Sequence, residues 1–236
     1  MRDSIKRSLT QALGGIAAAA LVATVAFFPP PFFKVQEIAI VTPLKRVSER
    51  DLMRLSQVKK GDNLILLSLK QVRENLLRYP WIREVQLSKR LPGRLMIWVK
   101  EEDPIALLEL DSLYFVNREG IVFKKMEKGD PQDLPTITGL SKEEVGKKLE
   151  PLIKIVRFFE ETKSLASVGL SEIHWKKKGD ISLITKEPAI RVELGRDSWN
   201  EKLDRLARAW PTIHRTSVDA KVIDLNLKRR IIVTKK

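Results

Sequence analysis

Cysteine is absent from the 236 residues of this chain, and only two residues are histidine. The lack of cysteine excludes disulfide bonds, thiolate metal sites and cysteine nucleophiles. His174 and His214 lie far apart, and neither has a neighbouring ligand pattern, so the sequence encodes no zinc site of the i, i+4 type. We interpret both histidines as structural.

The motifs of common catalytic sites are also missing. The chain has no Gly-x-Ser-x-Gly nucleophile turn and no glycine-rich loop that would cradle a phosphate. Glu101-Glu102-Asp103 comes closest to a paired-carboxylate site, but neighbouring residues of a strand point to opposite faces. We interpret this acidic run as a turn between domains, before Pro104. The sequence therefore predicts a protein that is not an enzyme and needs no cofactor.

Positive charge dominates, with 44 Lys and Arg against 30 Asp and Glu and a net charge of +14. Clustered cations favour nucleic acid because they release counterions from phosphates. Here the cations are dispersed, and the densest runs, such as Lys176-Lys177-Lys178 and Lys228-Arg229-Arg230, lack interleaved aromatic residues. We interpret these runs as solvated turns and strand ends, with attraction to anionic lipid headgroups as a second use.

The chain has one long apolar run, Ala12–Phe28, followed by three prolines. The run has about 17 residues, or about 22 with the residues up to Phe33, which suits one membrane-spanning helix. We predict a cytoplasmic tail over 1–11 and an anchor over 12–33, because Arg2, Lys6 and Arg7 precede the run. A cleaved signal peptide and a buried soluble helix remain alternatives. Anchor and signal peptide both place the main body outside the cytoplasm.

Residues 34–101 predict a small α+β domain. A strand over Lys34–Val41 is followed by two helices, whose starts are marked by Ser48 with Asp51 and by Ser68 with Gln71. Strands over Ile82–Lys89 and Arg94–Val99, joined by a Pro92-Gly93 turn, complete a three-stranded sheet.

Residues 102–236 predict a mostly antiparallel β domain with helices. One helix begins at Ser141, in a capping box with Glu144, and another begins at Ser198 with Glu201 and ends at Pro211. Pro135–Gly139 is typical of a linker. The predicted strands are Ile105–Leu110, Leu113–Val116, Ile121–Lys124, Ser171–Trp175, Asp180–Thr185, Ile190–Leu194, Lys221–Leu227 and Arg230–Thr234.

The last predicted strand closes a hairpin at the end of the chain, which favours a place at the edge of the sheet. Unpaired backbone groups at such an edge accept a strand from another chain. The alternative is a protected edge on which Lys235 and Lys236 discourage pairing. In a strand, Ile231 and Val233 point to one face and Ile232 and Thr234 to the other.

Several short motifs occur in the order typical of one family. In combination they resemble the FtsQ/DivIB family of bacterial cell-division proteins, over nearly all of Phe33–Val233. Two departures are local: Ile40–Leu44 stands where the family often has Val-x-Gly, and Asn226 stands where it commonly has an aromatic residue or Arg. The motifs are Phe33–Ile38, Lys60–Leu64, Tyr79–Val85, Lys89–Leu95, Glu101–Ala106, Asn117–Phe123, Leu134–Gly139, Glu193–Gly195, Lys202–Leu206 and Ile223–Leu225.

The resemblance implies a POTRA-like domain over 34–101 and an FtsQ-type β domain over 102–236. It also implies an inner-membrane protein, concentrated at the division septum, that recruits FtsB/FtsL-like partners to the divisome. Its terminal strand would capture an extended segment of the FtsB-like partner, and the POTRA-like domain would meet other division proteins. The implied partner-binding residues are Arg229, Arg230, Ile231, Ile232, Val233 and Thr234.

Other functions remain open on the sequence alone. They are a POTRA-containing envelope protein in secretion or outer-membrane assembly, an exported enzyme that acts on cell wall, and a nucleic-acid binder.

Overall fold

The structure, a computed structural model, describes residues 14–16, 33–176, 178–217, 219–227 and 230–235. Most of the predicted tail and anchor, and Arg229, lie outside these residues. Within the described ranges, no helix is both long and apolar enough to cross a membrane. The chain divides into two compact units, with the boundary between Glu102 and Asp103.

The first unit has the predicted order of strand, two helices and two strands. The strand β3 lies in the centre of its sheet, with β1 parallel on one side and β2 antiparallel on the other. Ser48 and Ser68 accept hydrogen bonds from the backbone N–H groups of Asp51 and Gln71, so both predicted helix starts are confirmed. The elements are β1 Glu37–Ile40, α1 Glu49–Ser56, α2 Leu69–Leu77, β2 Ile82–Arg90 and β3 Arg94–Glu101.

The segment after β1 is built without the glycine of the Val-x-Gly pattern. The Thr42 hydroxyl donates to the Val99 carbonyl at 3.0 Å and accepts from the Val99 N–H at 2.9 Å, which extends the pairing with β3. The Glu101 carboxylate then accepts the backbone N–H groups of Lys45, Arg46 and Val47 at 2.8–3.2 Å. Side chains thus satisfy the backbone of this turn.

The second unit is built on one nine-stranded sheet in the order β12-β11-β10-β9-β8-β7-β4-β5-β6. Three neighbouring pairs are parallel, namely β4 with β7, β7 with β8, and β10 with β11, and the other five pairs are antiparallel. The strands are β4 Pro104–Glu109, β5 Leu113–Asn117, β6 Val122–Lys125, β7 Thr136–Thr138, β8 Leu170–Trp175, β9 Ile181–Thr185, β10 Arg191–Gly195, β11 Ala220–Asp224 and β12 Ile232–Lys235.

Helices α3 Lys142–Glu161, α4 Lys163–Ala166 and α5 Trp199–Thr216 supply much of the core of this unit. Leu152, Phe159 and Leu206 are fully or almost fully buried and belong to the same hydrophobic cluster as the sheet residues Ile173 and Ile223. The predicted capping box of Ser141 and Glu144 is present at the start of α3. The observed class is α+β, with a predominantly antiparallel sheet.

The prediction of a linker over Pro135–Gly139 is wrong. Thr136–Thr138 forms β7, which lies between β4 and β8 and pairs parallel with both. Ile137 is completely buried. A strand of three residues is too short to show a hydrophobic period, so its flanking Pro135 and Gly139 dominated the sequence pattern.

The prediction that the last helix ends at Pro211 is also wrong, because α5 continues to Thr216. Proline cannot donate the helical hydrogen bond to the carbonyl of Ala207. The Ser164 hydroxyl donates to that carbonyl instead, at 3.0 Å, so a side chain from α4 compensates for the proline. This contact comes from a distant part of the sequence.

The predicted capping interaction of Ser198 with Glu201 is absent. Ser198 has φ of 51°, in the left-handed region, and its side chain makes no capping hydrogen bond. An N-cap that bonds the first helical turn has an extended backbone, as Ser48, Ser68 and Ser141 do.

Candidate partner-binding edge

β12 is the last strand at one edge of the nine-stranded sheet, so one of its sides has no neighbouring strand among the described residues. It pairs antiparallel with β11, with Ile232 opposite Asp224, Val233 opposite Ile223 and Thr234 opposite Val222. The predicted closing hairpin and its edge position are therefore observed.

The hydrogen bonds on the far side of β11 determine which backbone groups of β12 are unused. The Leu225 N–H donates to the Glu193 carbonyl at 3.0 Å, so Ile223 and Leu225 direct their backbone groups toward β10. Because these directions alternate along a strand, Val222 and Asp224 bond to their β12 partners, Thr234 and Ile232.

Val233 lies between Ile232 and Thr234 and therefore turns its N–H and C=O to the open edge. This donor and acceptor are where an added strand would begin to pair. The register thus identifies Val233 as a residue within β12 whose backbone can pair with an added strand without disturbing the hairpin.

Side chains alternate along the edge as predicted. Ile231 and Val233 pack against the hydrophobic core of the second unit, whereas Ile232 is 46% exposed. Thr234 and Arg230 are exposed as well, and Arg229 lies outside the described residues. The outer face of the edge therefore offers one large apolar side chain beside a cation.

Two cations of α5 donate to backbone carbonyls at the ends of the neighbouring strands β10 and β11. The Lys202 ammonium is buried and donates to the Leu194 carbonyl at 2.8 Å. The Arg205 guanidinium donates to the Leu225 carbonyl at 2.7 Å. The family pattern in the sequence includes Lys202–Leu206 but assigns these residues no role. Lys202 and Arg205 are spaced i, i+3, which places both on one face of the helix. This spacing is the sequence feature from which a shared structural role could be inferred.

The turn after β11 is fixed by Asn226, one of the two departures from the family pattern. Its backbone N–H and side-chain amide both donate to the Asp224 carboxylate, at 2.8 and 2.9 Å. Its side-chain oxygen packs against Gly195, where a Cβ atom would lie only 2.0 Å away. Gly195 also has φ of +72°, so glycine is required there for two reasons.

At the other end of the strand, the Lys235 ammonium lies 3.3 Å from the Thr216 carbonyl and 3.4 Å from the Asp219 carboxylate. Both partners of the ion pair are about half exposed, so its contribution to stability is small. It orients the end of β12 toward α5.

The acidic run Glu101-Glu102-Asp103 has structural contacts. Glu101 accepts backbone N–H groups, as described above, and Asp103 pairs with Arg118 at 2.9 Å. The hydrogen bond from Arg118 to Asp103 raises the pKa of the guanidinium. Trp81 is buried, with the Arg46 guanidinium 5.0 Å from its ring centre.

His174 accepts or donates one hydrogen bond through Nδ1, at 2.8 Å from the Thr138 hydroxyl. In the part of the chain that the structure describes, no group of three or more His, Cys, Asp or Glu side chains is arranged to hold a metal ion.

Comparison with protein families identifies both units. The FtsQ-type POTRA domain matches residues 33–102. The C-terminal domain of the cell division protein FtsQ/DivIB matches residues 106–226. The chain belongs to the FtsQ/DivIB family. The match to the C-terminal domain ends at Asn226, so β12 lies beyond it.

Three relatives named Cell division protein FtsQ support this membership. The protein of Geotalea daltonii is 30% identical over 211 residues, which cover 86% of this chain and 76% of the relative. That of Geobacter sp. strain M21 is 32% identical over 202 residues, covering 83% and 74%. That of Syntrophotalea carbinolica is 30% identical over 228 residues, covering 94% and 80%.

Proposed function

We propose that this cell division protein is a non-enzymatic scaffold of the divisome that recruits FtsB/FtsL-like partners by strand addition at β12. Its segment 12–33 anchors it in the inner membrane as a single-pass protein, with the tail 1–11 in the cytoplasm. Its POTRA-like domain, 34–101, and its β domain, 102–236, lie outside and gather at the septum. The observation that carries the proposal is the open edge of β12.

The edge suits an extended partner segment. Main-chain hydrogen bonds to Val233 supply affinity without requiring a particular partner sequence, and the exposed Ile232 adds an apolar contact that selects among sequences. Arg229 and Arg230 attract acidic side chains next to the added strand, which raises the association rate at low salt.

A proline substitution tests the proposal, because Val233→Pro removes an N–H that β11 does not use. We expect the variant to keep its fold and to bind a purified FtsB/FtsL-like pair from the same bacterium at least about tenfold more weakly, through the loss of one or two backbone hydrogen bonds. Val233→Ile keeps the N–H and the apolar side chain, and should bind like the parent chain. Isothermal titration gives the affinity, and circular dichroism verifies the fold.

Crosslinking provides a second measurement that does not depend on the folding of a variant with proline. A photoreactive residue at position 232 should crosslink to the FtsB-like partner in dividing cells, and one at position 41, in the POTRA-like domain, should not. A folded Val233→Pro chain with unchanged affinity would refute strand addition at this edge.

A further inference from the structure

Three apolar side chains are exposed at one end of the POTRA-like domain. Ile65 is 44% exposed, Leu66 is 56% exposed and Leu91 is 67% exposed. We call these three residues the basal patch. Large apolar side chains that cluster on a surface mark a contact with an apolar partner or a membrane.

The basal patch surrounds the point where the chain enters the domain. The Leu64 N–H donates to the Phe33 carbonyl at 2.9 Å, and the Val35 N–H donates to the Asp62 carbonyl at 2.8 Å. On the other side, the Gln36 N–H donates to the Gly93 carbonyl at 2.8 Å. The loop 61–67 and the hairpin tip 91–93 therefore flank Phe33–Gln36.

The loop holds its apolar side chains outward through fixed contacts. The Asn63 side-chain oxygen accepts the N–H groups of Ile65 and Leu66, at 2.9 and 3.3 Å. The Lys89 ammonium donates to the Ile65 carbonyl at 2.8 Å, while Leu64 is completely buried beneath. The exposure of Ile65 and Leu66 is thus a property of an ordered loop.

Exposed cations border the basal patch. Lys34, Lys59, Lys60 and Arg90 are all exposed, and among the described residues no carboxylate forms an ion pair with any of them. Apolar side chains ringed by cations are typical of surfaces that lie in the headgroup region of an anionic bilayer.

No linker separates this surface from the segment assigned to the membrane. That segment ends at Phe33, and Lys34 already pairs with Asn63 within the fold. A domain attached in this way keeps the basal patch within a few residues of the bilayer surface, since each extended residue spans at most about 3.6 Å.

We propose that the basal patch docks on the outer surface of the membrane. Ile65, Leu66 and Leu91 lie at the boundary between acyl chains and headgroups, and the neighbouring cations contact anionic headgroups. This inference rests on the anchor of the proposed function. Docking fixes the orientation of the POTRA-like domain to the bilayer.

The absence of cysteine makes the test direct, because a single introduced cysteine carries the only label. Leu66→Cys and Leu91→Cys are spin-labelled in the full chain, reconstituted in vesicles of phosphatidylcholine with phosphatidylglycerol. Val41→Cys is the matched control, since Val41 is 45% exposed and follows the opposite end of β1. Accessibility to oxygen and to a water-soluble nickel complex gives the depth of each label.

Labels at positions 66 and 91 should lie in the bilayer interface, and the label at 41 should lie in water. Replacement of Lys34, Lys59 and Lys60 by Gln should reduce the ratio of docked to undocked domain by about fivefold per lysine. The same loss of charge at Lys45, Arg50 and Lys100, in the same domain, should change it less than twofold.

The proposal would be overturned if the labels at 66 and 91 were as exposed to water as the label at 41. It would also be overturned if these two labels were shielded from water only after another protein was added. Flotation of the reconstituted chain with its vesicles reports on the anchor separately. If the chain floats with the vesicles but its labels at 66 and 91 are exposed to water, only the docking is refuted. If the chain does not float, the anchor is refuted.

Discussion

Among single residues, Glu101 shows how one side chain organises a turn. Its carboxylate accepts three consecutive backbone N–H groups, from Lys45 to Val47, although it lies more than fifty residues away in the sequence. Hydrogen bonds to a charged acceptor are stronger than neutral ones. This residue therefore replaces the glycine-containing turn that the family often has after its first strand.

We expect Glu101→Ala to lower the free energy of unfolding of the first unit by about 1–3 kcal/mol, because it leaves three backbone donors without their acceptor. Glu84→Ala is the control, since the Glu84 side chain is about half exposed and pairs with Arg83 and with the exposed Lys100, and it should change stability by less than about 0.5 kcal/mol. Urea denaturation measures both. Equal effects of the two substitutions would contradict the role of Glu101.

At the level of strands and helices, two glycines differ in whether the fold requires them. Gly195, at the end of β10, has a positive φ and lies against Asn226, whereas Gly146 lies inside α3, where an added Cβ atom would have no neighbouring atom within 4 Å. The first glycine is required by the turn beside the candidate edge. The second gives no packing advantage and costs backbone entropy.

Gly146→Ala should therefore raise the free energy of unfolding by about 0.5–1 kcal/mol. Gly195→Ala should lower it by about 1–3 kcal/mol, because the new Cβ atom enters the space of the Asn226 oxygen and φ is strained. Thermal denaturation distinguishes these shifts by their sign. Stabilisation by both substitutions would show that the Asn226 turn relaxes freely.

For the whole molecule, family membership and the two-unit fold lead to a prediction in cells. Among the residues that the structure describes, the hydrophobic cluster of the second unit consists of side chains between Ile105 and Val233, so the β domain has its own core. The edge that we assign to partner binding belongs to that core. Loss of partner recruitment should consequently be separable from loss of folding.

If the proposed function is correct, depletion of this protein from its bacterium should give filamentous cells, because the partners that it recruits would be missing from the division site. Expression of the parent chain or of Gly146→Ala should restore normal cell length, and Val233→Pro should not, although it accumulates to the same level. Microscopy and immunoblotting measure the two quantities. Normal septation after depletion would exclude a required role in division.

The sequence predicts much of this fold because several boundaries are marked by local chemistry. Ser48, Ser68 and Ser141 cap their helices as expected, and the closing hairpin follows from its pattern and place. The wrong predictions concern segments whose structure depends on residues that are distant in the sequence. Ser164 accommodates Pro211 within α5, and the pairing of β7 depends on β4 and β8. The edge position of β12 was predictable, but the outward direction of the Val233 backbone follows only from the bond between Leu225 and Glu193.

The basic ends of β12 have a consequence for self-association. If two copies met antiparallel along this edge, Arg230 of one chain would lie near Lys235 of the other, so that cations would approach cations. Like charges across paired strands are destabilising. The same side chains that we propose attract an acidic partner should therefore disfavour the pairing of two identical chains along this edge.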